Sequence, residues 1–205
     1  SSKYDVKLIL DAAESLGSKF NGKVPGNYID NLATSFNGNK IITSSGGGAI
    51  GCNDAKMFEK ISYWINQSKS ALESYHHEEI GYNYRLSNVH AAIGYAQILK
   101  IDEFIEKRRM IRNFYNTFFK ENNLGITVLM DSNEQTSNAW LTVIKFTGEN
   151  CENTRDKVKN TLDAAGIETR LIWKPMSCQP VFKKYESITN QFSIKAFHQS
   201  LCLPS

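Results

Sequence analysis

Residues 5–17 read DVKLILDAAESLG, and the sheet they imply decides the kind of fold this chain builds. The run Asp5–Leu10 reads as a strand with an apolar end, suited to a buried parallel sheet. It runs straight into Asp11, and the small, helix-tolerant residues Ala12-Ala13-Glu14-Ser15-Leu16 follow, closed by Gly17. A strand that ends on a carboxylate sets that group at the C-terminal edge of its sheet, where open α/β folds bind ligands. An interior strand at residue 5 also needs neighbours on both edges, and residues 1–104 supply few of them. The sequence is therefore expected to be part of a larger fold.

Further along, two short β-like pieces, 41–43 and 49–52, flank the triplet Gly46-Gly47-Gly48. A helix is predicted over 55–66, with Asn53 or Asp54 as its N-cap. A polar stretch, 67–79, leads into Gly81-Tyr82-Asn83-Tyr84-Arg85. From Asn88 the residues Val89, Ala92, Ile93, Ala96 and Leu99 share one helical face. The phase shifts near Asp102, so two consecutive helices or one kinked helix are expected. Strands are then predicted at 126–130, 139–146 and 167–173, with a helix at 154–165 closed by Gly166. The chain ends on Leu201-Cys202-Leu203-Pro204-Ser205 with no terminal element expected. This pattern divides into residues 1–104, part of a large mixed-sheet α/β domain, and residues 105–205, a small α+β domain that includes the linking helix.

Composition narrows the function. The 205 residues can bury a real core. A formal charge of +3 is too small to argue for nucleic acid, and Lys107-Arg108-Arg109 reads as a solvated helix face. No apolar run is long enough to span a membrane. The opening SSKYDVKLIL has neither the basic region nor the cleavage site of a signal peptide. Cys52, Cys151, Cys178 and Cys202 form no CxxC pair and match no zinc spacing, which suits structural thiols in a reducing cytoplasm. In His76-His77-Glu78-Glu79 adjacent side chains point to opposite faces, so a solvated loop is expected there and no metal. His90 reads as a helix-surface or interface residue, and His198 has no identifiable partner.

The stretch SFNGNKIITSSGGG, residues 35–48, places one lysine in a glycine-bearing turn between apolar runs. Taken singly, Lys40 reads as a lysine in a solvated turn and Asp11 as a cap after a strand. The set of motifs says more. ILDAAESLGS, SFNGNKIITSSGGG, EEIGYNYRLSNVHAAIGYAQ, ETRLIWKPMSCQPVF and LCLPS follow one another in this order. Together they closely resemble the sugar aminotransferases of the DegT/DnrJ/EryC1/StrS family, over the later half to two-thirds of a member.

The resemblance implies a type I aminotransferase-like fold, pyridoxal 5'-phosphate as cofactor, and a homodimer with shared active sites. Lys40 matches the lysine that bonds the cofactor aldehyde and then moves protons. Asp11 matches the carboxylate that keeps the pyridine nitrogen protonated. Ser35 matches a hydroxyl that binds the cofactor phosphate, and Glu14 a position near the ring oxygen. The glycine triplet is a close-packed turn; no helix follows it, so a nucleotide P-loop is a poor reading. Asn83 matches a phosphate contact presented to the neighbouring subunit, and Arg85 a planar cation suited to a carboxylate or phosphate. Trp173 and Lys174 match the region lining the sugar-nucleotide pocket, with a core tryptophan as the other reading of Trp173. Ser177-Cys178 departs from the histidine and leucine of many relatives. The implied activity is cytoplasmic transamination of a 4-keto-6-deoxy sugar nucleotide, with L-glutamate as donor, for surface glycans. The alternatives are a dehydratase or other non-transaminase relative, against which Lys40 argues, and a non-catalytic fragment of the fold.

Overall fold

The computed structural model describes residues 2–71 and 74–205, so Leu72 and Glu73 of the polar stretch lie outside the described residues. In chain order the elements are β1 (Leu10–Asp11), β2 (Lys19–Phe20), β3 (Asn31–Ser35), β4 (Gly48–Cys52), α1 (Ala55–Ile65), α2 (Asn88–Ile98) and α3 (Ile101–Glu121). They continue as β5 (Ile126–Val128), β6 (Gln135–Thr136), β7 (Thr142–Phe146), α4 (Cys151–Ala164), β8 (Arg170–Leu171), α5 (Phe192–Gln199) and β9 (Ser200–Leu203). The chain divides into two compact units, Ser1–Ile105 with Ser132–Asn138, and Glu106–Asp131 with Ala139–Ser205.

In the first unit β1 pairs parallel with β3, and β3 pairs antiparallel with β4, giving a sheet of order β1-β3-β4. Of the expected strand 5–10 only Leu10 is paired, on one side, with Asp11 continuing the pairing, and Val6, Leu8 and Ile9 are exposed. The central strand β3 carries no sequence expectation, because NLATS holds a single large apolar residue. The expected strand at 41–43 is instead irregular backbone that is buried at Ile41 and Ile42. Its polar groups are met from outside a sheet. Thr43 N donates to Gln97 Oε1 at 2.7 Å, and Ser44 N donates to Phe36 O at 2.9 Å. The helices follow their caps: Asp54 accepts from Lys56 N and Met57 N at the start of α1, and Ser87 accepts from His90 N at the start of α2. Between 88 and 121 there are two consecutive helices.

The second unit is an antiparallel sheet of order β5-β7-β9-β8 with α4 and α5. Its core gathers Val128, Ile144, Phe146, Leu201 and Leu203, with Tyr115, Phe119, Val158 and Leu162 packed against them. The expected ending without an element is corrected here. LCLPS contributes β9, a central strand whose four residues are all buried. Helix α5 before it was not foreseen, and the strand expected over 167–173 is reduced to Arg170–Leu171. Gly166 closes α4 with a φ of 75°, as its place after the helix requires.

Candidate active site

The parallel register Asp11↔Ala33 decides where the first site residues lie. Side chains alternate along a strand, so Ser35, two residues beyond Ala33, shares the face on which Asp11 stands. Asp11 Oδ1 accepts a hydrogen bond from Ala13 N at 3.0 Å and starts a tight turn over residues 13–17 instead of a helix. Glu14 sits in that turn. Beyond β3, Ser35 Oγ accepts from Asn37 N at 3.2 Å, and Lys40 N donates to Asn37 O at 3.0 Å, closing the turn that carries the lysine. Buried Ile41 and Ile42 anchor the turn on its far side. The Lys40 side chain is only 13% exposed, and its Nζ donates to Glu14 Oε1 at 3.3 Å. The lysine is therefore drawn back onto the loop that follows Asp11.

The glycine triplet has separate physical reasons at two of its positions. A Cβ on Gly48, opposite Ser35, would lie 2.2 Å from Thr34 O, so only glycine lets β4 pair this closely with β3. Gly47 has a φ of 79°, and a Cβ there would lie 2.5 Å from Leu86 Cδ1. Gly47 thus seats the residue that directly follows Arg85. The GYNYR segment is laced to α1: Tyr82 N donates to Trp64 O at 2.7 Å, Tyr84 N to Ile65 O at 3.0 Å, and Asn83 bridges Asn66. Tyr82 and Tyr84 stack at 5.1 Å. Asn83 and Arg85 are exposed, and their hydrogen bonds do not reach the Asp11, Glu14, Ser35 or Lys40 side chains among the described residues.

This geometry can be compared with known proteins. A model of the DegT/DnrJ/EryC1/StrS aminotransferase family matches residues 1–205. The chain belongs to that family. It is 39% identical to EpsN of Bacillus subtilis (strain 168) over 207 residues, which cover 98% of this chain and 52% of that protein. It is 34% identical to the GDP-perosamine synthase of Escherichia coli O157:H7, covering 87% of this chain and 48% of the synthase. Among solved structures, Helicobacter pylori PseC, an aminotransferase involved in the biosynthesis of pseudoaminic acid, superposes with a TM-score of 0.88 at 23% identity. That superposition covers 99% of this chain and 55% of PseC. The chain spans about half the length of the curated relatives it matches. The α/β fold is the type I aminotransferase-like fold of the DegT/DnrJ/EryC1/StrS family.

The remaining expected residues lie elsewhere. Trp173 and Lys174 are on the surface of the second unit. The reading of Trp173 as a core residue is corrected: it is 54% exposed and leans on buried Trp140, with ring centroids 5.9 Å apart. His198 does have a partner, Glu152, whose Oε1 lies 2.8 Å from Nδ1. That hydrogen bond, ahead of the nearby Arg155 charge, holds the Glu152 carboxyl below its ordinary range. Glu79 of the HHEE run is likewise lowered, first by the hydrogen bond it accepts from Lys60 and then by that from Trp64 Nε1. His77 Nδ1 lies 2.8 Å from Gln67 O, and His90 Nδ1 lies 3.1 Å from Ser87 Oγ. Among the described residues no cluster of His, Cys, Asp and Glu could hold a metal ion, and no helix is long and apolar enough to cross a membrane. One residue near the site escaped the sequence reading altogether. Asn138, 3% exposed, donates from Nδ2 to Glu14 O and Leu16 O, both at 2.9 Å.

Proposed function

We propose that the complete protein is a pyridoxal-phosphate-dependent aminotransferase acting on a 4-keto-6-deoxy sugar nucleotide, with L-glutamate as amino donor, in the cytoplasm. The observation that carries this reading is the return of the shielded Lys40 amine to the loop behind Asp11, at the strand edge that Ser35 shares. The donor set fits the cofactor. A carboxylate suits a pyridinium nitrogen, an amine suits an aldehyde, and a hydroxyl suits a phosphate.

When bound, pyridoxal phosphate supplies an aldehyde that bonds amines and a ring that takes up electrons from a carbon losing its proton. Asp11 Oδ would hold a proton on the ring nitrogen through its negative charge, and Ser35 Oγ would donate to the phosphate. Lys40 Nζ would hold the cofactor through its aldehyde and, once the amino donor displaces it, would carry a proton from one carbon to another as base and acid in turn. Asn83, Arg85, Trp173 and Lys174 are proposed to bind the phosphate and the sugar nucleotide. Asn83 and Arg85 act from a neighbouring subunit of a homodimer, which the exposed aromatic and apolar surface of Tyr82, Tyr84 and Val89 favours. The amino sugar formed would serve surface glycans. GDP-perosamine synthase, by its name, makes a nucleotide-linked sugar, which supports this substrate class.

Borohydride reduction of the full-length protein mixed with pyridoxal phosphate, followed by peptide mapping, tests the reading. The cofactor is expected to be fixed at Lys40. Fixation at another lysine, with Lys40 unlabelled, would overturn it.

A further inference from the structure

The loop that carries Glu14 is tied by a stretch of the first unit more than a hundred residues away, about Asn138. It leaves β1 with Ala12 N donating to Ala33 O at 2.7 Å, and it enters β2, which pairs antiparallel with β6. Just past that ladder, at Asn21, the backbone N donates to Glu134 O at 2.7 Å. Between these fixed ends the loop turns tightly. Gly17 has a φ of 81°, and a Cβ there would lie 2.3 Å from Ile105 Cδ1. Asn138 reaches into this turn three times. Its Nδ2 meets Glu14 O and Leu16 O, and its backbone N donates to Ser18 Oγ at 3.0 Å. Two carbonyls can be met only by the amide's two N–H bonds, so the partners themselves fix which way the carboxamide points. A polar side chain buried this deeply, with its donors used in this way, has little freedom to release the loop.

We propose that Asn138 is a positioning residue: it sets the Glu14 loop so that the Glu14 carboxylate receives the Lys40 amine. Lys40 needs such a partner whenever its amine is not bonded elsewhere, because a long side chain only 13% exposed has few water molecules to satisfy it. Glu14 supplies an acceptor for the N–H bonds and a charge opposite to the ammonium. Asn138 supplies neither; it decides where Glu14 stands. Its functional meaning rests on the reading of Lys40 as the cofactor lysine. The contact itself does not.

The test is the acetylation rate of Lys40 in the full-length polypeptide freed of cofactor, measured by mass spectrometry against other lysines of the same molecule. Glu14→Gln is expected to speed Lys40 acetylation about two- to five-fold, which is what losing a half-exposed ion pair is worth. Asn138→Ala is expected to give a similar increase, and the double variant no more than either single one, because both changes remove the same contact. A purely structural Asn138 would lower the melting temperature while leaving the Lys40 rate of the folded protein unchanged, and that result would overturn the proposal. So would independent, multiplying effects in the double variant. If Asn138→Ala leaves too little folded protein, Ser18→Ala carries the test. It cuts one of the three ties and must raise the rate by a smaller factor, and an unchanged rate would count against the proposal. Loss of this coupling with borohydride fixation still at Lys40 would refute Asn138 alone; coupling without that fixation would refute the cofactor reading alone.

Discussion

The two units hold themselves together by different means. The second gathers Ile144, Phe146, Leu201 and Leu203 into one buried cluster under a four-stranded sheet. Among the described residues the first buries only Ala12, Ile41, Ile42 and Ile105 of its apolar side chains, and exposes Val6, Leu8, Ile9, Ile50 and Phe58. What locates its site is a set of polar ties and close fits: Gln97 on Thr43, Asn138 on the Glu14 loop, and glycines where a Cβ cannot enter. An apolar core gives stability that is spread over many contacts. Polar ties give position, one group at a time, and each can be removed without emptying a core.

That contrast can be broken by substitutions whose effects should separate. Asp11→Asn keeps the Oδ1 that accepts from Ala13 N, so the first unit should keep its stability. The full-length enzyme should nevertheless slow by on the order of 10²-fold or more in single-turnover proton transfer, because an amide cannot hold the ring nitrogen charged. A near-parental rate would reduce Asp11 to a turn cap. Leu201→Ala should do the reverse. Leu201 is fully buried, and truncation should destabilise the second unit by about 2–5 kcal/mol in urea unfolding. Lys40 acetylation in the folded protein should stay at the parental rate. An altered rate would mean that the site leans on the second unit's core.

The smallest effect sharpens the same contrast at the surface. Glu152 is held below its ordinary value of 4.5, first by His198 and also by Arg155. A carboxyl lowered in the folded state adds stability above its unfolded value, and that stability fades as pH falls through the lower folded value. Above pH 4.5 the melting temperature of the parent should therefore slightly exceed that of Glu152→Gln, and the gap should narrow as the pH falls below that value. A gap that persists in acid would show packing, not charge, at work.

The features legible in the sequence were those set by near neighbours. Asp54, one of the two caps expected, announces its helix because a cap and the N–H groups that it meets lie within three residues. Ile41-Ile42 reads as a strand from its β-branched side chains, yet among the described residues no ladder continues it, and the next N–H, that of Thr43, goes to Gln97, 54 residues away. Ser200–Leu203 is too short to stand out, and its strand character comes from the strands on either side of it. His198 lies 46 residues from Glu152, and Asn138 lies 124 from Glu14, so neither partner has a local signature. In the candidate site, Asp11 and Lys40 are proposed on the motif set. The hydrogen bond from Lys40 to Glu14 spans 26 residues and needed coordinates.

Because β9 lies between β7 and β8, no contact close to it in sequence can start the second sheet. It pairs Thr142 with Leu203 and Arg170 with Cys202, so each of its seams closes a loop that contains at least one whole helix. Closing such loops costs chain entropy before any pairing offsets it. Helices α3 and α4 can form early, from local bonds, while the sheet waits for its middle. A chain paused at that stage presents β7 and β8 as two unpaired edges, the arrangement that templates association between molecules. Closing these seams is thus expected to be slow, and it is also the step at which crowding of unfinished chains does most harm.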